Sequence, residues 1–143
     1  MAGTSLFHGV DIVDLDRIEQ AVTRWGSRFL QRVFTAGELR DAGGRVPSLA
    51  ARFAAKEAAA KALGGGLRGF GAERTSGSSA VSWQELEVVR ASSGQPSLRL
   101  HGRAAVRAQE LGWEQITLSL SHARHIAIAS VVVLARCQDE TNP

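Results

Sequence analysis

The sequence predicts an α+β fold in which a mostly antiparallel sheet packs on one long central helix. Three observations carry that prediction. Ser48–Leu63 is rich in Ala, Leu, Lys, Arg and Glu, all strong helix formers. Strand-like apolar runs stand near both ends of the chain, at Leu6–Val13 and at Gln115–Leu134. The 143 residues show no repeat, no heptad and no second compositional block, so one domain, 1–143, is expected.

Taken in order, Leu6–Val13 (LFHGVDIV) reads as a strand interrupted by Asp11. A carboxylate in such a run needs a partner: either Asp11 or Asp14 caps the next helix, or Asp11 takes an ion pair or a metal. Asp14 to about Trp25 reads as a helix with Leu15, Ile18 and Val22 on one face. Arg17, Arg24, Arg28 and Arg32 recur through this helix and the turn after it, either as a solvated face or as a docking surface for an acidic partner. Thr35 and Glu38 have capping-box spacing at the start of a short helix. Asp41–Pro47 reads as a loop.

In the central helix, Pro47 suits the first turn, Ser48 is a candidate cap, and Gly64-Gly65-Gly66 ends it. Phe53, Glu57 and Lys61 follow one another up one side, with Arg52 and Lys56 in the next row. Lys56 and Lys61 are the only lysines among 17 basic residues, and they flank Glu57. Either the positions want a compact ammonium on a flexible stem, or Glu57–Lys61 is a surface pair worth a few tenths of a kcal/mol.

Residues 64–82 form a long Gly/Ser-rich loop, and no Gly-Lys-Ser/Thr follows the glycines, so this is not a nucleotide P-loop. Trp83–Val89 and Ser97–Leu100 read as strands joined by the turn Ser92–Pro96. Gly102–Leu111 is a short amphipathic helix stopped by Gly112. Gln115–Ser121 alternates as a half-buried strand, Ile126–Leu134 is a buried one, and Ser121–His125 turns between them. Ser121 and His122 do not make a nucleophilic pair, because neighbours in a strand point opposite ways. The ends, 1–6 and 138–143, are polar.

Composition narrows the function. Hydrophobic content of 44% is globular, and no apolar run approaches the ~20 residues that cross a bilayer. The N-terminus lacks a signal-peptide pattern, and the single Cys137 rules out an internal disulfide framework; both agree with a cytoplasmic protein. A net charge of +3 suits an acidic partner or phosphate. A nucleic-acid module is disfavoured, since no aromatic-interleaved basic strand or recognition helix occurs and Tyr is absent.

Four separated pieces go beyond pattern: Gly9-Val10-Asp11-Ile12-Val13, Arg52-Phe53-Ala54-Ala55-Lys56-Glu57-Ala58-Ala59-Ala60-Lys61-Ala62, Gly94-Gln95-Pro96 and Ser119-Leu120-Ser121-His122. In this order they resemble the holo-acyl-carrier-protein synthases, the short type of 4′-phosphopantetheinyl transferase, from about Phe7 to Leu134. The resemblance implies transfer of the phosphopantetheine arm of coenzyme A to a serine of an acyl carrier protein, with Mg²⁺, releasing adenosine 3′,5′-bisphosphate. It implies that Asp11 and Glu57 hold the metal and that Lys61 contacts phosphate. It places Arg52, Gly64, Pro96 and His122 near the nucleotide, and Arg17, Arg24, Arg28 and Arg32 against the acidic carrier, of fatty-acid or polyketide synthesis. It also implies a homotrimer with sites between subunits. The chemistry agrees with it. Mg²⁺ favours hard oxygens, commonly one or two carboxylates with substrate phosphates and water. Phosphoryl-type transfer asks the protein mainly to position reactants and neutralise charge. A catalytically silent scaffold of the same fold is the other reading, and the intact carboxylates and lysines speak against it.

Overall fold

The computed structural model describes residues 3–64, 67 and 80–137. The chain opens with strand β1 (Thr4–Asp14) and helices α1 (Leu15–Trp25), α2 (Ser27–Val33), α3 (Ala36–Ala42) and α4 (Val46–Leu63). A 3₁₀ turn at Trp83–Glu85 leads into β2 (Leu86–Arg90) and β3 (Pro96–Leu100). Helix α5 (Gly102–Glu110) and strands β4 (Trp113–His122) and β5 (Ile126–Arg136) complete it. The α+β expectation holds, with one refinement: the strands form two antiparallel sheets. One has the order β1-β5-β4, and the other is the β2–β3 hairpin.

Helix α4 is the axis of the molecule. Thirteen of its residues are buried, from Leu49 to Leu63, and Glu57 and Lys61 are the exceptions in that stretch. A helix buried nearly all round needs small residues where backbone comes close. Alanines supply them on α4, and Gly9 supplies the match on β1. A Cβ at Gly9 would lie 1.8 Å from the carbonyl oxygen of Ala58. That contact seats β1 directly on α4. Gly64 ends the helix in the left-handed conformation, with φ +78°.

Strand pairing sorts the large sheet into two faces. Asp11 and Leu120 both oppose Ala129, and Val13 and His122 both oppose Ala127, so these residues share the face turned to α4. Leu6, His8, Val10 and Ile12 turn the other way, with Ile128 and Val132 of β5. That outer face is open and mixed: Leu6 is 71% and Ile12 59% exposed, while His8 and Ser130 hydrogen-bond across it and Thr117, Ser119 and Ser121 lie on its β4 side.

Several local expectations are corrected. The stretch after Trp25, expected as a turn, is helix α2. Gly26 breaks the run at φ +53°, and Phe29 and Val33, one turn apart, then bury together. Ser48 does not cap α4: the helix starts two residues earlier, with Arg45 at the cap position and Pro47 inside the first turn, where a missing N–H costs nothing. Trp83–Glu85, expected as strand, is the 3₁₀ turn, capped by reciprocal hydrogen bonds between Ser82 and Glu85. His122 belongs to β4 rather than to the turn. The Thr35–Glu38 capping box is present as expected. Most of the Gly/Ser-rich loop at 64–82, and the tail at 138–143, lie outside the described residues; within the loop, Leu67 bridges Val81 in parallel.

Candidate active site

The close seating of β1 on α4 brings Asp11 to Glu57 and Lys61. The Nζ of Lys61 donates to the carbonyl oxygen of Val10 at 3.0 Å and to Oδ1 of Asp11 at 3.2 Å. Lys61 therefore turns to β1 and does not form the surface pair with Glu57 that the i,i+4 spacing suggested. The Asp11 side chain is 10% exposed and its Oδ2 is buried without a hydrogen-bond partner. Burial, a hydrogen bond to Asp11 and the negative charge of Asp11 push the Glu57 carboxyl up to about 7, while Arg17 and Lys61 pull the other way. When both carboxylates are ionised neither has a proton to offer the other, and the pair holds uncompensated negative charge. An orphaned carboxylate oxygen beside a second carboxylate is the donor set a small hard cation needs, with room left for phosphate and water oxygens.

Arg17 reaches this cluster from α1. Its guanidinium lies over the Phe53 ring, 5.5 Å from the centroid, and Phe53 stacks on Trp83 at 4.7 Å. Arg24 lies over Trp25 at 4.8 Å, and Trp25, itself 43% exposed, lines a shallow depression with Arg28 and Arg32. The four arginines thus divide: Arg17 adjoins the carboxylates, and the other three surround an exposed tryptophan that the sequence reading did not single out.

A second feature lies on the other flank of α4. A cleft of about 270 Å³ is lined by Ser48 and Arg52 of α4, Arg90 of β2, Gly94 and Pro96 of the hairpin, and His122 of β4, among others. Arg52, Pro96 and His122 were expected together, and they are. Arg90 was missed, and only its position four residues before Gly94 could have drawn attention to it. Arg52 is 6% exposed; one Nη donates to the Ser48 carbonyl at 3.1 Å, and its Nε is buried without a partner. Burial lowers its pKa while Glu38 and Asp41 work against the shift, yet an arginine keeps its charge. A buried, charged donor left unpaired beside an open cleft suits an anion. Gly64 lies apart from this cleft, at the end of α4 beside Arg107, whose Nε donates to the Leu63 carbonyl at 3.3 Å.

The two features face away from each other. At ~100° per residue, Arg52 and Ser48 lie roughly 140° and 180° around α4 from Glu57. Asp11 stands at the β1 edge and His122 and Leu120 at the β4 edge of the same sheet face, with β5 between them. Lys56 fills the ground between: fully buried, it pairs with Glu38 at 2.7 Å. Burial pushes its pKa down, and Glu38 opposes that shift. This pair was not foreseen as a pair.

Comparison with known proteins is consistent over nearly the whole chain. The profile of the 4′-phosphopantetheinyl transferase superfamily matches residues 8–129. A holo-[acyl-carrier-protein] synthase of Herpetosiphon aurantiacus is 53% identical over 127 residues, 89% of this chain and 97% of that protein. The crystal structure of the Helicobacter pylori holo-[acyl-carrier-protein] synthase in complex with coenzyme A superposes with a TM-score of 0.74 at 29% identity, covering 88% of this chain and 98% of that one. The coenzyme A complex of the Chronobacterium ammoniagenes enzyme gives 0.71 at 30% identity, covering 94% and 98%.

Proposed function

Since the chain belongs to the 4′-phosphopantetheinyl transferase superfamily and is a holo-[acyl-carrier-protein] synthase, we propose that its reaction is Mg²⁺-dependent, releases adenosine 3′,5′-bisphosphate, and takes place between subunits of a homotrimer. The observation that carries this reading is the opposition of the two half-sites around α4. One chain presents the carboxylates on one flank and the cleft for an anionic ligand on the other, so a neighbour's cleft facing a chain's own carboxylates would complete a site. The exposed apolar residues Leu6, Val10, Ile12, Ile128 and Val132 on the open sheet face support such an assembly, because a patch of this kind commonly marks a protein contact.

In this reading the cleft of Arg52, Pro96 and His122 takes the nucleotide end of coenzyme A, and Gly64, apart from the cleft of its own chain, approaches the ligand from the neighbouring subunit. The unpaired Arg52 Nε gains a phosphate oxygen. Asp11 and Glu57 hold Mg²⁺, and the orphaned Asp11 Oδ2 supports that assignment. The bound ion supplies charge neutralisation at the pyrophosphate. The hydroxyl oxygen of the carrier serine forms a bond to the phosphorus bearing pantetheine, the bond from that phosphorus to the bridging oxygen breaks, and the bisphosphate leaves. Lys61, half-exposed and anchored on Val10 and Asp11, neutralises charge on the leaving oxygens. The serine proton has two candidate acceptors, Glu57 and solvent water. Arg17 beside Glu57, with Arg24, Arg28 and Arg32 further along, faces the acidic carrier and delivers its serine to the carboxylate flank. A cytoplasmic setting is part of the same proposal; no helix among the described residues is long and apolar enough to cross a membrane.

Subunit complementation tests the shared site. Asp11→Asn and His122→Ala proteins, each inactive alone, are co-expressed. A mixed trimer then contains one interface with intact carboxylates from one chain and an intact cleft from the other, and activity returns. Mixed trimers without activity would place the whole site in one chain and refute the proposal.

A further inference from the structure

We propose that Lys56 and Glu38 are positioning residues for the nucleotide end of coenzyme A: their buried ion pair fixes the β2–β3 wall of the cleft against α4 and so sets its width. The inference rests on reading that cleft as the coenzyme A site.

Lys56 spends all three of its donors. Its Nζ donates to Glu38 Oε1 at 2.7 Å, to the Trp83 carbonyl at 3.0 Å and to the Leu86 carbonyl at 2.7 Å. Those two carbonyls bracket the 3₁₀ turn and the first residue of β2. Glu38 completes the junction from the other side: Oε2 accepts the N–H of Val88 at 3.0 Å, while Oε1 also accepts the N–H of Thr35 at 2.9 Å. One ammonium and one carboxylate thereby join α4, α3 and β2 at a point closed to solvent. Val88 and Arg90 line the cleft from β2, and Arg52, one turn before Lys56, lines it from α4. The pair is the tie between the two walls.

The choice of residue fits this role. An apolar side chain at 56 would leave the buried Leu86 carbonyl without a donor, take one of two donors from the Trp83 carbonyl, and leave the Glu38 carboxylate buried with two N–H donors but no counter-charge. Arginine's planar fork does not match three acceptors arranged around a point, whereas a compact ammonium does. This is where a chain that otherwise prefers arginine keeps a lysine. Because Asp11, Glu57 and Lys61 occupy the opposite flank of α4, loosening the tie acts on ligand binding more than on the chemical step.

The test compares wild type, Lys56→Met, Glu38→Gln and, as a destabilised control remote from the cleft, Val33→Ala. Affinity for coenzyme A is measured by calorimetry at a temperature where circular dichroism shows the proteins folded, and kcat and KM are measured separately for coenzyme A and carrier. Both pair variants are expected to weaken coenzyme A binding by about tenfold or more and to raise its KM in parallel, with kcat and the carrier KM within about threefold. The control is expected to bind as wild type does. Should Lys56→Met fail to fold, Glu38→Gln carries the test, because it keeps the shape and one acceptor. Folded pair variants that bind coenzyme A within twofold of wild type overturn the inference. Wild type binding coenzyme A with an affinity indifferent to Arg90→Ala and His122→Ala overturns instead the reading of the cleft on which it rests.

Discussion

Replacing Gly9 with alanine probes the contact on which the carboxylate site is built. The added Cβ would lie 1.8 Å from the Ala58 carbonyl oxygen and 3.2 Å from the Ala62 nitrogen. Both are backbone atoms of a buried helix and have no rotamer by which to yield. To reach even 3.0 Å from that oxygen, β1 must retreat by about 1.2 Å. Overpacking of this kind costs about 1–3 kcal/mol, and a backbone clash belongs at the upper end. Asp11 lies two residues on, on the same face of the same strand, so the retreat carries its carboxylate away from Glu57 and Lys61. A displacement near 1 Å in a positioned group costs about 10²-fold in rate. We therefore expect Gly9→Ala to lose about 3 kcal/mol in urea unfolding and about 10²-fold in kcat per folded molecule, with coenzyme A affinity nearly unchanged. Val33→Ala, a buried truncation in α2 rather than on β1 or α4, serves as a destabilised comparison and keeps its kcat. A Gly9→Ala enzyme with kcat within threefold of wild type would mean that Asp11 does not depend on the strand–helix contact for its position.

Three further outcomes follow from the same geometry. The Glu57 carboxyl sits at about 7 against an ordinary 4.5, so the metal-free folded protein keeps a proton that the unfolded chain loses. Its contribution is fully present below 4.5 and is lost as pH rises through about 7; melting temperature in metal-free buffer falls across that window, and Glu57→Gln removes the fall. Reversing the charge of Arg28 and Arg32 together is expected to raise the carrier KM at least about tenfold, with coenzyme A affinity unchanged and the defect smaller at high salt; equal carrier kinetics at low salt would remove these residues from the docking face. Ile12→Asp on the open sheet face should shift the mass measured by light scattering to that of a monomer and abolish turnover, and an active monomer would contradict sites shared between subunits.

The parts of this molecule that the sequence announced are those where one residue type answers one local need. The Ala-rich run named α4, the alternation in β4 named its faces, and Thr35 and Glu38 named a capping box that is present. Asp11 was conspicuous as a charge within a strand, and Lys56 and Lys61 as lysines in an arginine-rich chain. What stayed hidden was pairing across distance. Glu38 satisfied its spacing to Thr35 so well that nothing suggested a second bond to Lys56, 18 residues on. Lys61 has the spacing to pair with Glu57, but burial of the helix leaves its amine closer to β1. Arg17 counted as one of four docking arginines until its place over Phe53 put it beside Glu57. Helix α2 was obscured by Gly26, whose break in the run looked like a turn with no helix beyond it. The opposition of Arg52 and Glu57 was available from helical phase alone; its meaning needed the strands on either side of α4.

The most direct test of the reaction is the intact mass of an apo acyl carrier protein after incubation with coenzyme A and purified enzyme, with Mg²⁺ or with chelator, beside a folded Glu57→Gln protein. The account predicts that the carrier gains one phosphopantetheine arm only with wild type and Mg²⁺, and that adenosine 3′,5′-bisphosphate appears in equal amount. Full conversion in chelator, or by Glu57→Gln at the wild-type rate, would contradict the metal role assigned to Asp11 and Glu57.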